Sequence, residues 1–527
     1  VRRLIRYNGH ENHSRRSSQM ILRFIKRILD ALFVVFFGVL CFFMVFRVPT
    51  AIFAAYIALS LVLVYRIRSK GFVFFLALGS FLIRFAYISI VKTPLESDFK
   101  LLYEAAVLFS QGDYSFSELV YFRDWAYQTG FVIYQGLVVK LFGPDGSIWA
   151  LKILNCLWNT GITLLIYLIA GNFFKERSSR LASVLYMGFV FPITFVSVLS
   201  NQHISTFFIL LGLYFLMDQK LIRMKPLPRG LLAGLFIALG NIMRPDALLV
   251  MVSLAGYFLI LLLRPGNGKQ RLERLMQCLA VFLVYLAVNS LASQAIIRSG
   301  VNTEGLRNNN FYWKFVVGLN YEHRGGYNED DYVLIYGSGL TEEKREELEK
   351  QVILERLGMG PKKFASLFMQ KIQFFWCDSA LDWSYGHILR ANKVFYLLSN
   401  PVKFSDVDAV LKDLNELFIY TAMLLSLLGV FARRKEEKVD RLAIPAALLL
   451  ISFVVYLLIE VQPRYAYLQQ PFLFILSGLG LDFLSDRLDV STLRMIWEKL
   501  KGKAGQESID YKGRKNDTIT RHKSMDN

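Results

Sequence analysis

Four polar clusters interrupt the long apolar blocks of this sequence. Glu96 and Asp98 follow one block, and Asn201-Gln202-His203 separates two others. Arg244-Pro245-Asp246 separates a further pair, and Glu460-Val461-Gln462-Pro463-Arg464-Tyr465 another; Arg84 lies inside a block. The planar guanidinium fork suits phosphate oxygens, and a carboxylate suits a hydroxyl. A charge at the centre of a bilayer costs at least about 2.5–3.5 kcal/mol, and less near the interface, where long side chains snorkel. Taken singly, each residue reads as an ordinary loop residue. A purely structural helix bundle has no need of the whole set. A site for a lipid-linked phosphate needs all of it, with Arg244, Arg464 and Arg84 as candidate phosphate ligands.

The elements that must position these residues are membrane spans. The chain has 527 residues, 54% hydrophobic and 20% charged, with 44 Phe and a mean hydropathy of +0.38. An ordinary soluble protein carries about 25% charge. The apolar residues come in blocks near the ~20 residues that cross a bilayer. The expected class is therefore an all-α polytopic membrane protein with about twelve spans: 31–46, 50–65, 71–91, 147–170, 181–199, 202–217, 229–244, 247–263, 276–296, 415–431, 442–459 and 465–484.

Charge sets the sidedness. With residues 1–30 placed in the cytoplasm, alternate connections hold 37 of the 61 Lys and Arg, and the short outer connections hold seven. That asymmetry follows the positive-inside rule. Both termini, 1–30 and the basic tail 485–527, then face the cytoplasm. Met20 begins a typical lead-in to a first span, so residues 1–19 read as an optional extension. The net charge of +19 is spread over seven inner segments. Orientation and contact with anionic lipid account for it, and nucleic acid does not. Cys41, Cys156, Cys278 and Cys377 have no metal or redox spacing and read as isolated thiols.

Two outer segments are long. In the first, 92–146, Asp98–Gln111 reads as an amphipathic helix and Gly143-Pro144-Asp145-Gly146 as a turn. Phe131–Phe142 is too short to span and reads as an interfacial helix. The second, 297–414, is mixed. A helix starts at Thr341-Glu342-Glu343. Another starts at Pro361, with Phe364, Leu367, Phe368, Ile372 and Phe375-Trp376 as a stripe expected on the membrane surface. Asp330 and Asp331 read as a solvated acidic turn. Tyr312, Trp313, Trp376 and Trp383 read first as interface anchors. The organisation is thus 1–30, spans 31–296, outer segment 297–414, spans 415–484 and tail 485–527.

The order of several motifs resembles the GT-C glycosyltransferases, in particular the bacterial protein-mannosyltransferase-like enzymes of family 39. The pieces are Ser97-Asp98 with Tyr103 and Ala105-Ala106, Gln111-Gly112-Asp113, and Tyr127-Gln128-Thr129-Gly130-Phe131. They continue through Leu141-Phe142-Gly143, Asn201-Gln202-His203, Gly234 to Arg244-Pro245, Gly318-Leu319-Asn320, Gly326 to Asp330, Glu460 to Tyr465, and Pro471. The resemblance covers roughly residues 71–484; spans 1 and 2 precede its usual start. It implies a GT-C-like core in the cell membrane of a bacterium, with the active site on the extracytoplasmic face. There a sugar moves from a polyprenyl-phosphate donor to a glycan, lipid or protein acceptor. Asp98 carries over as the base. Tyr103, Asn201, Gln202, His203, Asn320, Glu460 and Tyr465 are the expected substrate contacts. A phosphate leaving group needs no general acid, so one prominent carboxylate suffices. Arginines can take the place of a divalent metal, so no metal or other cofactor is expected.

A transporter or flippase of lipid-linked saccharides is the competing class, because twelve spans is also a transporter count. Such proteins usually show related halves and midplane sites. A glycan polymerase or ligase of the same architecture differs only in the length of its donor.

Overall fold

The computed structural model describes residues 20, 23–36, 51–217, 224–337, 339–397, 400–432 and 443–487. It is all-α apart from one antiparallel hairpin, β1 (Val394–Leu397) with β2 (Asn400–Lys403). The membrane-side helices are α1 (23–36), α2 (Ala51–Arg66), α3 (Ser69–Ile90), α6 (Thr129–Phe173), α7 (Glu176–Gly188), α8 (Val190–Phe195), α9 (Gln202–Leu216), α10 (Pro226–Met243), α11 (Ala247–Leu263), α12 (Gly268–Arg298), α18 (Phe404–Ala432), α19 (Ala443–Leu458) and α20 (Gln470–Arg487). The first outer segment adds α4 (Ser97–Ser110) and α5 (Val120–Asp124). The second adds α13 (Trp313–Gly318), α14 (Glu329–Tyr336), α15 (Glu342–Leu357), α16 (Pro361–Trp376) and α17 (Asp382–Arg390).

Five helical runs among the described residues are long and apolar enough to cross a bilayer: α3, the run Ala126–Phe173 that contains α6, α10, α12 and α18. Four shorter apolar helices, α2, α9, α11 and α19, have 15–17 residues. Nine of the twelve expected spans coincide with these helices. The one expected at 31–46 falls largely outside the described residues. The stretch 181–199 is broken into α7 and α8 at Phe189, which is extended (φ −63°, ψ 122°). The last, expected at 465–484, begins as a 3-10 turn at Pro463–Tyr467, and only then does α20 start. The reason is burial. Every residue from Gln470 to Gly480 is buried, so α20 meets protein, and its composition is freed from the demands of lipid.

The short helix expected at Phe131–Phe142 is present, and only the α16 stripe lies differently from the sequence expectation. Phe131–Phe142 forms the first part of α6, packed beneath α4, with Phe131, Val132 and Gln135 buried. The expected turn is a sharp break inside α6, where Gly143 takes φ 71°, ψ 167°. A left-handed φ is cheap only for glycine. The apolar stripe of α16 faces protein. Leu367, Ile372, Phe375 and Trp376 are buried, and the Phe375 and Tyr456 rings stack at 4.2 Å.

Candidate active site

The 3-10 turn Pro463–Tyr467 is the hub at which these polar residues meet. Tyr465 presents its ring to three cations: the Arg244 guanidinium and the Lys314 ammonium at 5.3 Å from the centroid, and Arg464 at 5.6 Å. An aromatic face attracts cations within about 6 Å. Arg464 also lies over Trp383 at 4.5 Å and Phe99 at 5.1 Å. Its Nη2 stands 3.5 Å from Asp98 Oδ2. Arg464 is nearly buried, whereas the Asp98 side chain is 45% exposed. Asp98 sits in the first turn of α4, where the helix dipole favours its charge. It is a carboxylate beside a fixed cation, still open to a ligand.

Each cation is held from behind. Arg244 ends α10; its Nε donates to Asp246 Oδ2 at 2.7 Å and its Nη1 to Asn201 Oδ1 at 3.3 Å. Asn201 in turn donates to Gln128 Oε1 at 3.0 Å. Arg464 Nε donates to Gln462 Oε1 at 2.7 Å, and its carbonyl accepts from Gln202 Nε2. Lys314 pairs with buried Glu460, which also accepts from Tyr465 Oη at 3.0 Å and Gln462 Nε2 at 2.9 Å. The ammonium holds the Glu460 carboxyl below its ordinary range, and the carboxylate raises Lys314. Tyr127 interacts electrostatically with Lys314, Arg244 and Glu460.

Lys371 of α16 supports this arrangement. Its ammonium donates to the carbonyls of Gly318 (2.7 Å), Leu457 (2.8 Å) and Ile459 (2.8 Å). Two of these acceptors lie at the C-terminal end of α19, where helix carbonyls lack intrahelical partners. One side chain thus fixes the strand of chain that carries Glu460 to the loop after α13. Burial pulls the Lys371 ammonium down to about 7, although Glu460 acts to raise it.

Asp98, Arg244, Arg464, Tyr465, Glu460, Asn201 and Gln202 therefore come together, the last three as supports. Four expected residues do not join them. Tyr103 is buried, and its hydroxyl bonds Pro144 O at 2.7 Å and Ser147 Oγ at 2.6 Å, pinning α4 to the break in α6. Asn320 donates to Asp331 Oδ2 at 3.0 Å. Asp331 is not a solvated residue; it is buried, and Arg356 Nη2 reaches its Oδ1 at 2.6 Å. His203 is fully buried: its Nε2 faces the Phe195 carbonyl at 3.1 Å and its Nδ1 the Tyr467 hydroxyl at 2.7 Å. The carbonyl can only accept, so Nε2 carries the proton and Nδ1 accepts.

Arg84 is the fourth. It is fully buried inside the bundle and donates to Asn159 Oδ1 and to Ser80. Asn159 donates to Tyr467 Oη, which links Arg84 through Tyr467 to His203. Its place is an internal network beneath the hub, not the outer cation cluster.

Lys314 and Trp383 were missing from the sequence-derived site. Lys314 has a signal: it is the one charge in Phe311-Tyr312-Trp313-Lys314-Phe315-Val316-Val317. Trp383 resembles any interfacial tryptophan until its ring is seen over Arg464.

Residues 131–292 match the sequence model of the dolichyl-phosphate-mannose-protein mannosyltransferase family. This segment is a glycosyltransferase family 39 domain, of the GT-C class. It contains Arg244 and Asn201, while Asp98, Lys314 and Arg464 lie outside it. No curated protein matches the chain. Among solved structures, the chain is similar to the AglB oligosaccharyltransferase of Archaeoglobus fulgidus in complex with an inhibitory peptide and a dolichol-phosphate. The identity is 14% and the TM-score 0.44, over 82% of this chain and 51% of that one. An Archaeoglobus fulgidus oligosaccharyltransferase tethered with an acceptor peptide matches at 14% identity and TM-score 0.45, over 80% and 50%, and an apo form at 15% and 0.44, over 82% and 52%. The chain spans about half the length of these structures.

Proposed function

We propose that the chain transfers a sugar from a polyprenyl-phosphate donor to an acceptor hydroxyl on the outer face of the membrane. The observation that carries this reading is the gathering of Arg244, Lys314 and Arg464 around one tyrosine ring, with Asp98 beside Arg464. Three cations around one ring exceed what a structural turn requires and suit phosphate oxygens, while each also faces a carboxylate, Asp246, Glu460 or Asp98. Asp98 accepts the proton of the acceptor hydroxyl as its oxygen bonds to the anomeric carbon. The bond from that carbon to the phosphate oxygen breaks, and the polyprenyl phosphate leaves with the electron pair. The cations meet charge that grows as the bond breaks, which is where fixed dipoles and charges lower a barrier most. Attack on the face of the anomeric carbon away from the departing phosphate inverts its configuration.

Asp98→Asn tests the reading in the full chain reconstituted with a polyprenyl-phosphate sugar. Loss of a general base costs about 10²–10⁴ in rate. The expected result is that loss in kcat with donor affinity retained. Transfer at the wild-type rate would sink the assignment.

A further inference from the structure

A second polar recess adjoins the cation cluster. It has a volume of about 230 Å³ and lies between the outer parts of α10 and α12. At their inner parts these helices touch through glycine. A methyl on Gly230 or Gly234 would come within 2.6 Å of the Gln277 or Val281 carbonyl. Such small-residue contact lets two helix backbones close. Further out the pairing changes from glycine to amide. Asn241 Nδ2 donates to Asn289 Oδ1 at 2.8 Å, and Asn289 Nδ2 donates to the Tyr285 carbonyl at 2.8 Å. The Oδ1 of Asn241 is buried and has no hydrogen-bond partner. An unmet buried acceptor is costly, and so are polar groups in spanning helices unless they line a cavity.

The recess is lined by the right chemistry to repay that cost. Asn241, Asn289, Ser290, Ser293, Tyr127 and Arg307 offer amides, hydroxyls, a phenol and a guanidinium, and no carboxylate lines it. Ser293 Oγ accepts from the Leu306 N–H at 3.1 Å and keeps its own proton to donate. Alternating donors and acceptors without net negative charge fit a hydroxylated ring, and the volume fits one ring. Two links join the recess to the cation cluster. Pro245, which lines the recess, follows Arg244 directly, and Tyr127, which also lines it, interacts electrostatically with Arg244 and Lys314.

We propose that this recess holds the single sugar ring of the lipid-linked donor. The proposal rests on the glycosyl-transfer reading, because it takes the donor phosphate to lie on Arg244. The ring then occupies the recess one glycosidic linkage away. The Ser290 and Ser293 hydroxyls and the Asn241 and Asn289 amides line the ring, and the recess selects the sugar while the cations select the phosphate.

The test measures binding of polyprenyl phosphate with and without a sugar, by full-length protein in lipid nanodiscs. The probes are the bare carrier and the same carrier bearing mannose, glucose, galactose or N-acetylglucosamine. Wild type is expected to bind one sugar-bearing carrier about tenfold tighter than the bare one, an added 1.4 kcal/mol. Ser290→Leu fills the recess, and Asn241→Ala removes one of its amides. Each is expected to bring that preference to near unity while affinity for the bare carrier stays unchanged. Arg244→Met is expected to weaken both ligands equally. A preference kept in both recess variants overturns the proposal. So does equal loss for both carriers, or an effect confined to acceptor saturation. Binding of the bare carrier with no sugar preference in wild type overturns the recess and leaves the phosphate reading standing. Wild-type binding of neither carrier overturns both.

Discussion

Lys314 and Glu460 show how one pair serves both stability and chemistry. Glu460 is 3% exposed and Lys314 keeps 30% of its side-chain surface. Removing one partner of a buried pair strands the other, at about 3–5 kcal/mol. Partial exposure of Lys314 places Lys314→Met near the low end, about 3 kcal/mol. The double variant Lys314→Met/Glu460→Gln is expected to regain most of that stability in thermal unfolding. It should not regain affinity for polyprenyl phosphate, because the cation is gone. Recovery of affinity in the double variant would remove Lys314 from the phosphate site. The pair also has a pH signature. Glu460 titrates below its ordinary value when folded, so its contribution is present above the unfolded carboxylate value and is lost as pH falls through the folded one. Lys314 is raised, so its contribution is lost only as strongly alkaline pH is approached.

The elements of the second outer segment are tied to the first by a different cluster. Asp124, at the end of α5, is buried and accepts from Tyr336 Oη and Arg345 Nη2, each at 2.8 Å. Glu349 of α15 lies one turn beyond Arg345, buried, with its Oε1 unpartnered. Burial lifts its carboxyl to about 7, and Asp124 and Glu346 act in the same direction. Arg345 and the Asn310 amide oppose the rise. A carboxyl raised on folding favours its protonated form. Its stabilising contribution is complete below about 4.5 and disappears as pH rises through about 7. Docking of α15 should therefore weaken between those values. The ceiling is about 3 kcal/mol, at 1.36 kcal/mol for each pH unit. Glu349→Gln is expected to flatten the dependence and to stabilise the protein at pH 8. Hydrogen exchange across α15 at pH 5 and pH 8 measures this; an unchanged pH dependence in Glu349→Gln would refute it.

At the scale of the whole molecule, what was legible in the sequence followed from what a bilayer demands. Helices that meet lipid must be apolar and long, so α3, α10, α12 and α18 could be read from composition. Helices surrounded by protein escape that demand, which hid the break at Phe189 and the late start of α20. The same division governed the site. Arg244, Arg464 and Asp98 stood out as charges at the ends of apolar blocks. Arg84 stood out equally, and Ser80 lies one turn before it on α3, yet its other partner, Asn159, comes from α6, and no linear spacing announces that meeting. His203 and Tyr103 failed for the same reason: their partners lie elsewhere in the chain. Sidedness rests on charge alone and has a direct test. Lys269, exposed at the start of α12, belongs to a basic connection expected inside; Glu347, exposed on α15, belongs to the long segment expected outside. In intact cells Glu347→Cys should react with a membrane-impermeant maleimide, and Lys269→Cys only after permeabilisation. Of the native thiols in described residues, Cys156 and Cys377 are buried and Cys278 is half-buried. Each variant is therefore read against the unsubstituted chain. Labelling of Lys269→Cys in intact cells would invert the topology and move Asp98 and its cations to the cytoplasmic face. The acceptor would then have to be a cytoplasmic one.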